Sequence, residues 1–137
     1  MAEQTTVASK QQAVSALRVR YMIDDVPAAI AFYTTHLGFS LDMDASPAFA
    51  SVSRDGVTVL LSGKASSGRR AMPDGSVPVP GGWNRIQLVV ADIASEAERL
   101  RAAGLHFRND IISGPGGSQI VLDDPSGNPV ELFQPGQ

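Results

Sequence analysis

The sequence predicts an α+β fold made of two βαβββ modules, in each of which a strand and a helix precede three more strands. The first observation is an internal repeat: segment 18–26, RVRYMIDDV, is echoed by segment 85–93, RIQLVVADI. The second is that each copy runs through an Asp into a helical stretch that ends at Gly38 or at Gly104. The third is that short alternating runs, separated by turn residues, follow each glycine. Repetition on this scale indicates that each half of the chain folds to the same plan.

Composition limits the possible functions. A chain of 137 residues with 43% hydrophobic and 18% charged residues is typical of one globular domain. The net charge of −3 and the lack of a basic stripe argue against nucleic acid as a partner. The absence of cysteine excludes disulfides and thiolate metal sites. Without a signal peptide or a long apolar run, we expect a cytoplasmic protein that does not enter a membrane.

Module one begins with a strand in which apolar residues alternate from Val19 to Ile23. Asp24 or Asp25 is expected to cap a helix that closes at Gly38, a residue suited to the left-handed backbone of a helix end. Three strands are then predicted at residues 39–43, 48–53 and 57–61, with a tight hairpin at residues 54–56.

Module two repeats this plan after a long linker. Residues 63–84 are rich in Gly, Pro and Ser, and Arg69 and Arg70 within them are expected to be solvated. A strand at 85–90 and a helix from the Asp92 cap to Ala103 follow, and the last three strands are predicted at residues 105–108, 118–122 and 129–134. The predicted organisation is a flexible tail over residues 1–15, module one over about 16–62, and module two over about 85–137.

Two motifs resemble signatures of a known superfamily. VPAAIAFY at 26–33, followed by LGF at 37–39, is similar to the first-helix signature of the vicinal oxygen chelate superfamily. DPSGNPVEL at 124–132 is similar to its last-hairpin signature. That superfamily includes glyoxalase I, bleomycin-resistance proteins and extradiol dioxygenases. The resemblance implies a single domain over residues 16–137 whose modules form a cupped, barrel-like mixed sheet with helices outside, usually within a homodimer.

The resemblance also implies where a metal would bind. Metal-using members carry a His or Gln at the start of a module's first strand and a Glu or His on its last strand. The matching positions here are Arg18, Leu60, Arg85 and Glu131. Arginine remains protonated and has no lone pair to give, and leucine offers no donor. We therefore predict no cofactor, and a divalent metal is possible only through ligands that these motifs do not reveal.

The alternation of each strand predicts which side chains face the cup. If Val19, Tyr21 and Ile23 pack beneath the helices, their neighbours on the strand face the concavity, and the same applies to module two. Trp83 could close over a planar ligand or only anchor the linker. The predicted ligand-binding residues are Arg18, Arg20, Met22, Leu60, Trp83, Arg85, Gln87 and Phe133, with Val89 contributing to the apolar lining.

Two interpretations of the charged positions are open. Arg18 and Arg85 bracket Glu131 as an ion-pair cluster that fills the space of a metal, because a buried arginine needs a partner. Alternatively, one arginine pairs with Glu131 and the other faces an anionic or carbonyl-bearing ligand, since the guanidinium fork suits such groups.

The function predicted first is metal-free binding of a small organic molecule in the cup between the modules. The alternative is a glyoxalase-like lyase, isomerase or dioxygenase. Such an enzyme would work either without metal, with Glu131 as catalytic base, or with a divalent metal through unrecognised ligands. The sequence leaves open whether the chain is an enzyme.

Overall fold

The computed structural model describes residues 16–136, which form two consecutive βαβββ modules as the repeat predicts. Residues 1–15, where a flexible tail was predicted, lie outside the described part. Module one contains β1 (Arg18–Met22), α1 (Val26–Ala31), a π-helical turn (Phe32–His36), β2 (Ser40–Ala45), β3 (Phe49–Arg54) and β4 (Val57–Ser62). Module two contains β5 (Ile86–Val89), α2 (Ile93–Ala102), β6 (Ile112–Gly114), β7 (Gly117–Asp123) and β8 (Pro129–Pro135). A 3₁₀ turn (Ser67–Arg69) lies in the linker.

Each module forms its own four-stranded mixed sheet. The strand orders are β1-β4-β3-β2 and β5-β8-β7-β6, with β1 parallel to β4, β5 parallel to β8, and the other pairs antiparallel. The two orders are equivalent, so the α+β class and the paired modules are confirmed. Over residues 16–136 no strand of one sheet pairs with a strand of the other, so the expected barrel-like sheet does not close.

Both helices begin at the aspartates that the sequence indicated. Asp25, rather than Asp24, caps α1 by accepting a hydrogen bond from the Ala28 N–H at 3.1 Å. Asp92 caps α2 in the same way through the Ser95 N–H, also at 3.1 Å. A side-chain acceptor at this position satisfies one of the amide groups that a helix start leaves free.

The second strand of module two was placed wrongly from the sequence. Residues 105–108 make only an isolated bridge, Phe107 to Leu122, and the edge strand is β6, a few residues further on. The physical reason is Asn109, whose side-chain oxygen accepts the Val121 N–H at 2.9 Å. A side chain thus takes the ladder partner that a continuing strand would supply.

The apolar faces of the two sheets share one core. Tyr21 and Ile23 of β1 lie in the same buried cluster as Val130 and Leu132 of β8, as the alternation predicted. Tyr33 is fully buried, and its hydroxyl donates to the Asp124 carboxylate at 2.8 Å. Burial raises the pKa of that carboxyl, although hydrogen bonds from its neighbours act in the opposite direction.

A tyrosine hydroxyl links the modules at the start of β5. Tyr21 Oη donates to the Pro129 carbonyl at 2.8 Å and accepts the Ile86 N–H at 2.9 Å. Burial raises the pKa of Tyr21 to about 12, so the hydroxyl stays protonated and can serve both partners at neutral pH.

The linker is anchored by an arginine that was expected to be solvated. Arg69 is only 8% exposed and donates to the carbonyls of Ile23, at 2.8 Å, and Pro78, at 2.9 Å. The expectation fails because the linker folds back over the end of β1, which buries the guanidinium against backbone acceptors.

None of the described helices is long and apolar enough to cross a membrane.

Candidate functional site

Glu131, on β8 of the second sheet, contacts two polar side chains, those of Arg85 and Gln87. The register of β5 with β8 places Gln87 directly beside it. Gln87 donates to Oε2 at 2.6 Å, and Arg85 contacts Oε1 through Nε and Nη2, each at 2.9 Å. Glu131 is 6% exposed, so the carboxylate is buried with both oxygens occupied. Hydrogen bonds to a charged acceptor in such surroundings are stronger than neutral ones.

Arg18 does not join this group. It is exposed, and within the described range 16–136 its side chain makes no hydrogen bond or ion pair, although its backbone belongs to the β1–β4 ladder. Its strand neighbour in the register is Thr58, at the opposite end of β1 from the linker. The predicted cluster therefore contains Glu131 and Arg85, with Gln87 in place of Arg18.

The residues at the expected metal positions do not fit a cation. Glu131 is the single anionic donor among the four positions, and an arginine already holds one of its oxygens. Within residues 16–136 there is no group of three or more histidine or acidic side chains arranged to hold a metal ion. The positive charge of Arg85 at the carboxylate would oppose a divalent ion.

On the first sheet, Arg20 and Leu60 are strand neighbours in the position that Gln87 and Glu131 occupy on the second. Leu60 is buried at 8% exposure and offers no charge. Arg20 instead donates through Nη1 to the hydroxyl of Ser62 at 2.8 Å. Gly68 of the linker packs on the same side chain, since a Cβ there would lie 2.7 Å from Arg20 Cδ.

Three cavities adjoin Arg85. The first, of about 360 Å³, lies between the facing edges of β1 and β5 and is lined by Arg20, Met22 and Asn84. The second, of about 390 Å³, is lined by apolar side chains of both modules, among them Val19 and Val89, together with the polar or charged residues Gln87, Arg54 and Asp55. The third, of about 290 Å³, lies over the second sheet. Arg85 is the one side chain common to the linings of all three.

Trp83 forms one wall of the third cavity. It is 70% exposed, and the Arg108 guanidinium lies over its ring, with Cζ 4.6 Å from the ring centroid. Arg108 is fixed by hydrogen bonds to Asp123, at 2.7 Å, and to the carbonyls of Gly82, at 2.8 Å, and Gly127, at 3.0 Å. The indole is therefore supported by a cation that has little freedom to move.

Of the remaining predicted residues, Met22 lines the first cavity and Phe133 lines none of the three. Met22 is half-buried at the end of β1, and Phe133 is half-buried on β8 beside Val89. Sequence reasoning missed Asn84 and Arg108. Asn84 immediately precedes the strand predicted to begin module two, so its position next to Arg85 in the sequence was a signal that could have been used. Arg108 carried no such signal, because its contact with Trp83 depends on the tertiary fold.

A family model matches residues 15–132, and its description is Glyoxalase/Bleomycin resistance protein/Dioxygenase superfamily. The chain belongs to this superfamily. The match spans both modules, which agrees with the two motifs read from the sequence. A comparison with curated protein sequences gave no match.

Solved structures of the superfamily share the fold. The antibiotic-binding protein TnmS3 from Streptomyces sp. CB03234 is 24% identical, with a TM-score of 0.68 over 90% of this chain and 98% of that one. Lactoylglutathione lyase from Agrobacterium tumefaciens is 20% identical, with a TM-score of 0.67 over 88% and 92%. A superfamily member from Sphaerobacter thermophilus is 25% identical, with a TM-score of 0.69 over 88% and 97%. A binding protein and a lyase are thus almost equally similar, so the superfamily fold leaves the activity undetermined.

Proposed function

We propose that this chain binds a small organic molecule with an aromatic part, without a metal, in the cavity beside Trp83. The observation that supports this most directly is the exposed indole backed by a fixed guanidinium. An aromatic ring that is held in place but left uncovered can stack on a planar ligand at little entropic cost. TnmS3 from Streptomyces, which has the same fold, is described as an antibiotic-binding protein, and this supports a binding function.

The lining of this cavity suits an amphipathic ligand. Val121 and Ile112 provide apolar surface, while Gln119, Asn109 and Arg85 provide polar groups. Binding sites for small molecules are commonly concave and largely apolar, with a few placed polar groups. A ligand could place a ring on Trp83 and direct a polar substituent toward Arg85.

The arrangement of Glu131 favours binding over catalysis. A general base must be able to reach the proton that it abstracts. Here both oxygens of the carboxylate accept hydrogen bonds from protein donors, and the side chain is buried. We therefore propose that Glu131 orients Arg85 and Gln87, and that these two side chains meet the ligand.

The test uses the single tryptophan of the chain as a reporter. Flat aromatic compounds and saturated cyclic compounds of the same size are titrated without and then with a chelator, and tryptophan emission and calorimetric heat are recorded. We expect the aromatic compounds to quench Trp83 emission and to bind about two- to tenfold more tightly than the saturated ones, in keeping with the energy of an aromatic pair. Trp83→Phe should retain part of the calorimetric affinity, and Trp83→Ala should lose it.

Two outcomes would contradict the proposal. In one, no compound of the panel quenches emission or releases heat at millimolar concentration. In the other, the Trp83→Ala variant binds the aromatic compounds as tightly as the unmodified chain does. Loss of binding on adding the chelator would contradict the metal-free part alone.

We also propose that the chain acts as a cytoplasmic homodimer. Large apolar side chains remain exposed on both sheets, among them Met43 at 54%, Val89 at 58% and Ile112 at 52%. Exposed apolar surface of this kind often marks an interface. Light scattering coupled to size exclusion should give twice the mass of 14.4 kDa, and a monomer mass at all concentrations would contradict this.

A further inference from the structure

We propose that the cavity between β1 and β5 binds a carboxylate group of the ligand, and that Arg20 is the residue that recognises it. This rests on the proposed function, because it specifies the chemical class of the bound molecule. Arg85 lines both this cavity and the Trp83 cavity. One organic acid could therefore occupy both.

The first argument is the balance of charge in this cavity. Its lining includes Arg20 and Arg85 and no acidic residue. Glu131 compensates Arg85 through a buried ion pair. Arg20 has no acidic partner within the described residues, and its side-chain hydrogen bond goes to the neutral hydroxyl of Ser62. One uncompensated positive charge therefore remains on the cavity wall.

The second argument is that this guanidinium is held in place. Ser62 is fully buried and accepts from Nη1 at 2.8 Å. Gly68 packs against the same side chain, and a Cβ there would lie 2.9 Å from Cζ, so a larger residue would displace it. Arg20 as a whole is exposed, and these two contacts restrict its guanidinium on one side while the other side remains open to solvent. The groups that hold Arg20 are neutral, and they fix its orientation without cancelling its charge.

The third argument is which edge of the guanidinium remains free. The hydrogen bond to Ser62 uses Nη1, and Nε and Nη2 make no hydrogen bond or ion pair in the part of the chain that the structure describes. These two groups point in parallel and match the two oxygens of a carboxylate. The side chain of Asn84, also on this cavity wall, likewise makes no hydrogen bond with residues 16–136. Its amide can supply a further donor.

The experiment compares two probes of the same shape, naphthalene-2-carboxylate and naphthalene-2-carboxamide, by calorimetry. We expect the carboxylate to bind about tenfold more tightly than the amide, the effect of one charge-assisted contact. The preference should decrease as sodium chloride is raised, because the charge is partly exposed. Arg20→Met keeps the aliphatic stem and should reduce the ratio of the two affinities to about one. Arg70→Met, at an exposed arginine outside the three cavities, should leave the ratio unchanged.

The outcomes separate this inference from the proposed function. Equal binding of the two probes to the unmodified chain overturns carboxylate recognition and leaves aromatic binding intact. A preference that survives in Arg20→Met overturns the role of Arg20. Binding of neither probe overturns both proposals. Circular dichroism of Arg20→Met at the assay temperature establishes that the variant is folded, and the amide probe, which does not need the guanidinium, should still bind to it.

Discussion

Replacement of Arg85 should destabilise the protein more than replacement of Glu131, although Glu131 contacts both Arg85 and Gln87. The Arg85 side chain is 28% exposed and the Glu131 side chain 7%. Arg85→Met leaves a buried carboxylate with Gln87 as its remaining donor. Glu131→Gln leaves a guanidinium that still reaches water and still donates to the Trp83 carbonyl. Stranding the more deeply buried charge costs more.

The magnitudes follow from the same contacts. We expect Arg85→Met to cost about 3 kcal/mol, the lower end for a broken buried pair, because Gln87 continues to donate. Glu131→Gln should cost about 1.5 kcal/mol, the value of a charge-assisted hydrogen bond. The double variant should lose only about 2 kcal/mol, because neither charge is then stranded, which gives a coupling energy of about 2.5 kcal/mol.

Urea unfolding, followed by far-ultraviolet circular dichroism, measures these free energies. The dependence of the unfolding free energy on urea concentration is compared between variants. Arg18→Met serves as the comparison at the equivalent position of module one, and we expect it to cost less than about 0.5 kcal/mol at an exposed site. Additive losses, with Arg85→Met below about 1 kcal/mol, would show that the pair is solvated and would refute the reasoning.

Three further substitutions test the contacts that position the site. Tyr21→Phe should cost about 1–3 kcal/mol in urea unfolding, because the Ile86 N–H loses its buried acceptor. Arg69→Met should cost about 2 kcal/mol and should speed proteolysis within the linker, because two backbone carbonyls lose their donor. Hydrogen bonds from Ser95 hold the pKa of Asp92 below its ordinary value of 3.8. The contribution of Asp92 to the free energy of unfolding is therefore complete above pH 3.8 and is lost as the pH falls through the lower pKa of the folded state. Asp92→Asn should remove this part of the acid dependence when urea unfolding is measured at several pH values.

The fold was predictable because its signals are local. The two-residue period of each strand and the Asp caps at residues 25 and 92 depend on neighbours a few positions away, and the repeat can be read by comparing segment 18–26 directly with segment 85–93. These signals gave the module plan and the core face of β1 and β5 correctly. The failure at residues 105–108 has a different cause. There the pattern suits a strand, but the Asn109 side chain replaces the ladder partner, and no periodicity reveals such a contact.

The candidate site was only partly predictable, because its partners are distant in sequence. The family resemblance indicated Arg85 and Glu131 as candidate positions, and in the structure the two side chains form an ion pair. It could not show that Gln87 would complete the group or that Arg18 would stay apart, since those contacts depend on register and on side-chain direction. The support of Trp83 by Arg108 depends on two loops that meet only in the folded chain.

The difference between the modules explains why the charge of Arg85 is neutralised by an ion pair and the charge of Arg20 is not. Equivalent positions carry Glu131 in one module and Leu60 in the other, so the carboxylate that holds Arg85 has no counterpart on the first sheet. Arg20 is therefore held by a hydroxyl and by a glycine of the linker, neither of which cancels its charge. A carboxylate at position 60 as well as at 131 would have neutralised both arginines and left the cavity without net charge. The asymmetric pair leaves a fixed positive charge between the sheets, next to an exposed aromatic ring, and this combination suits an aromatic acid.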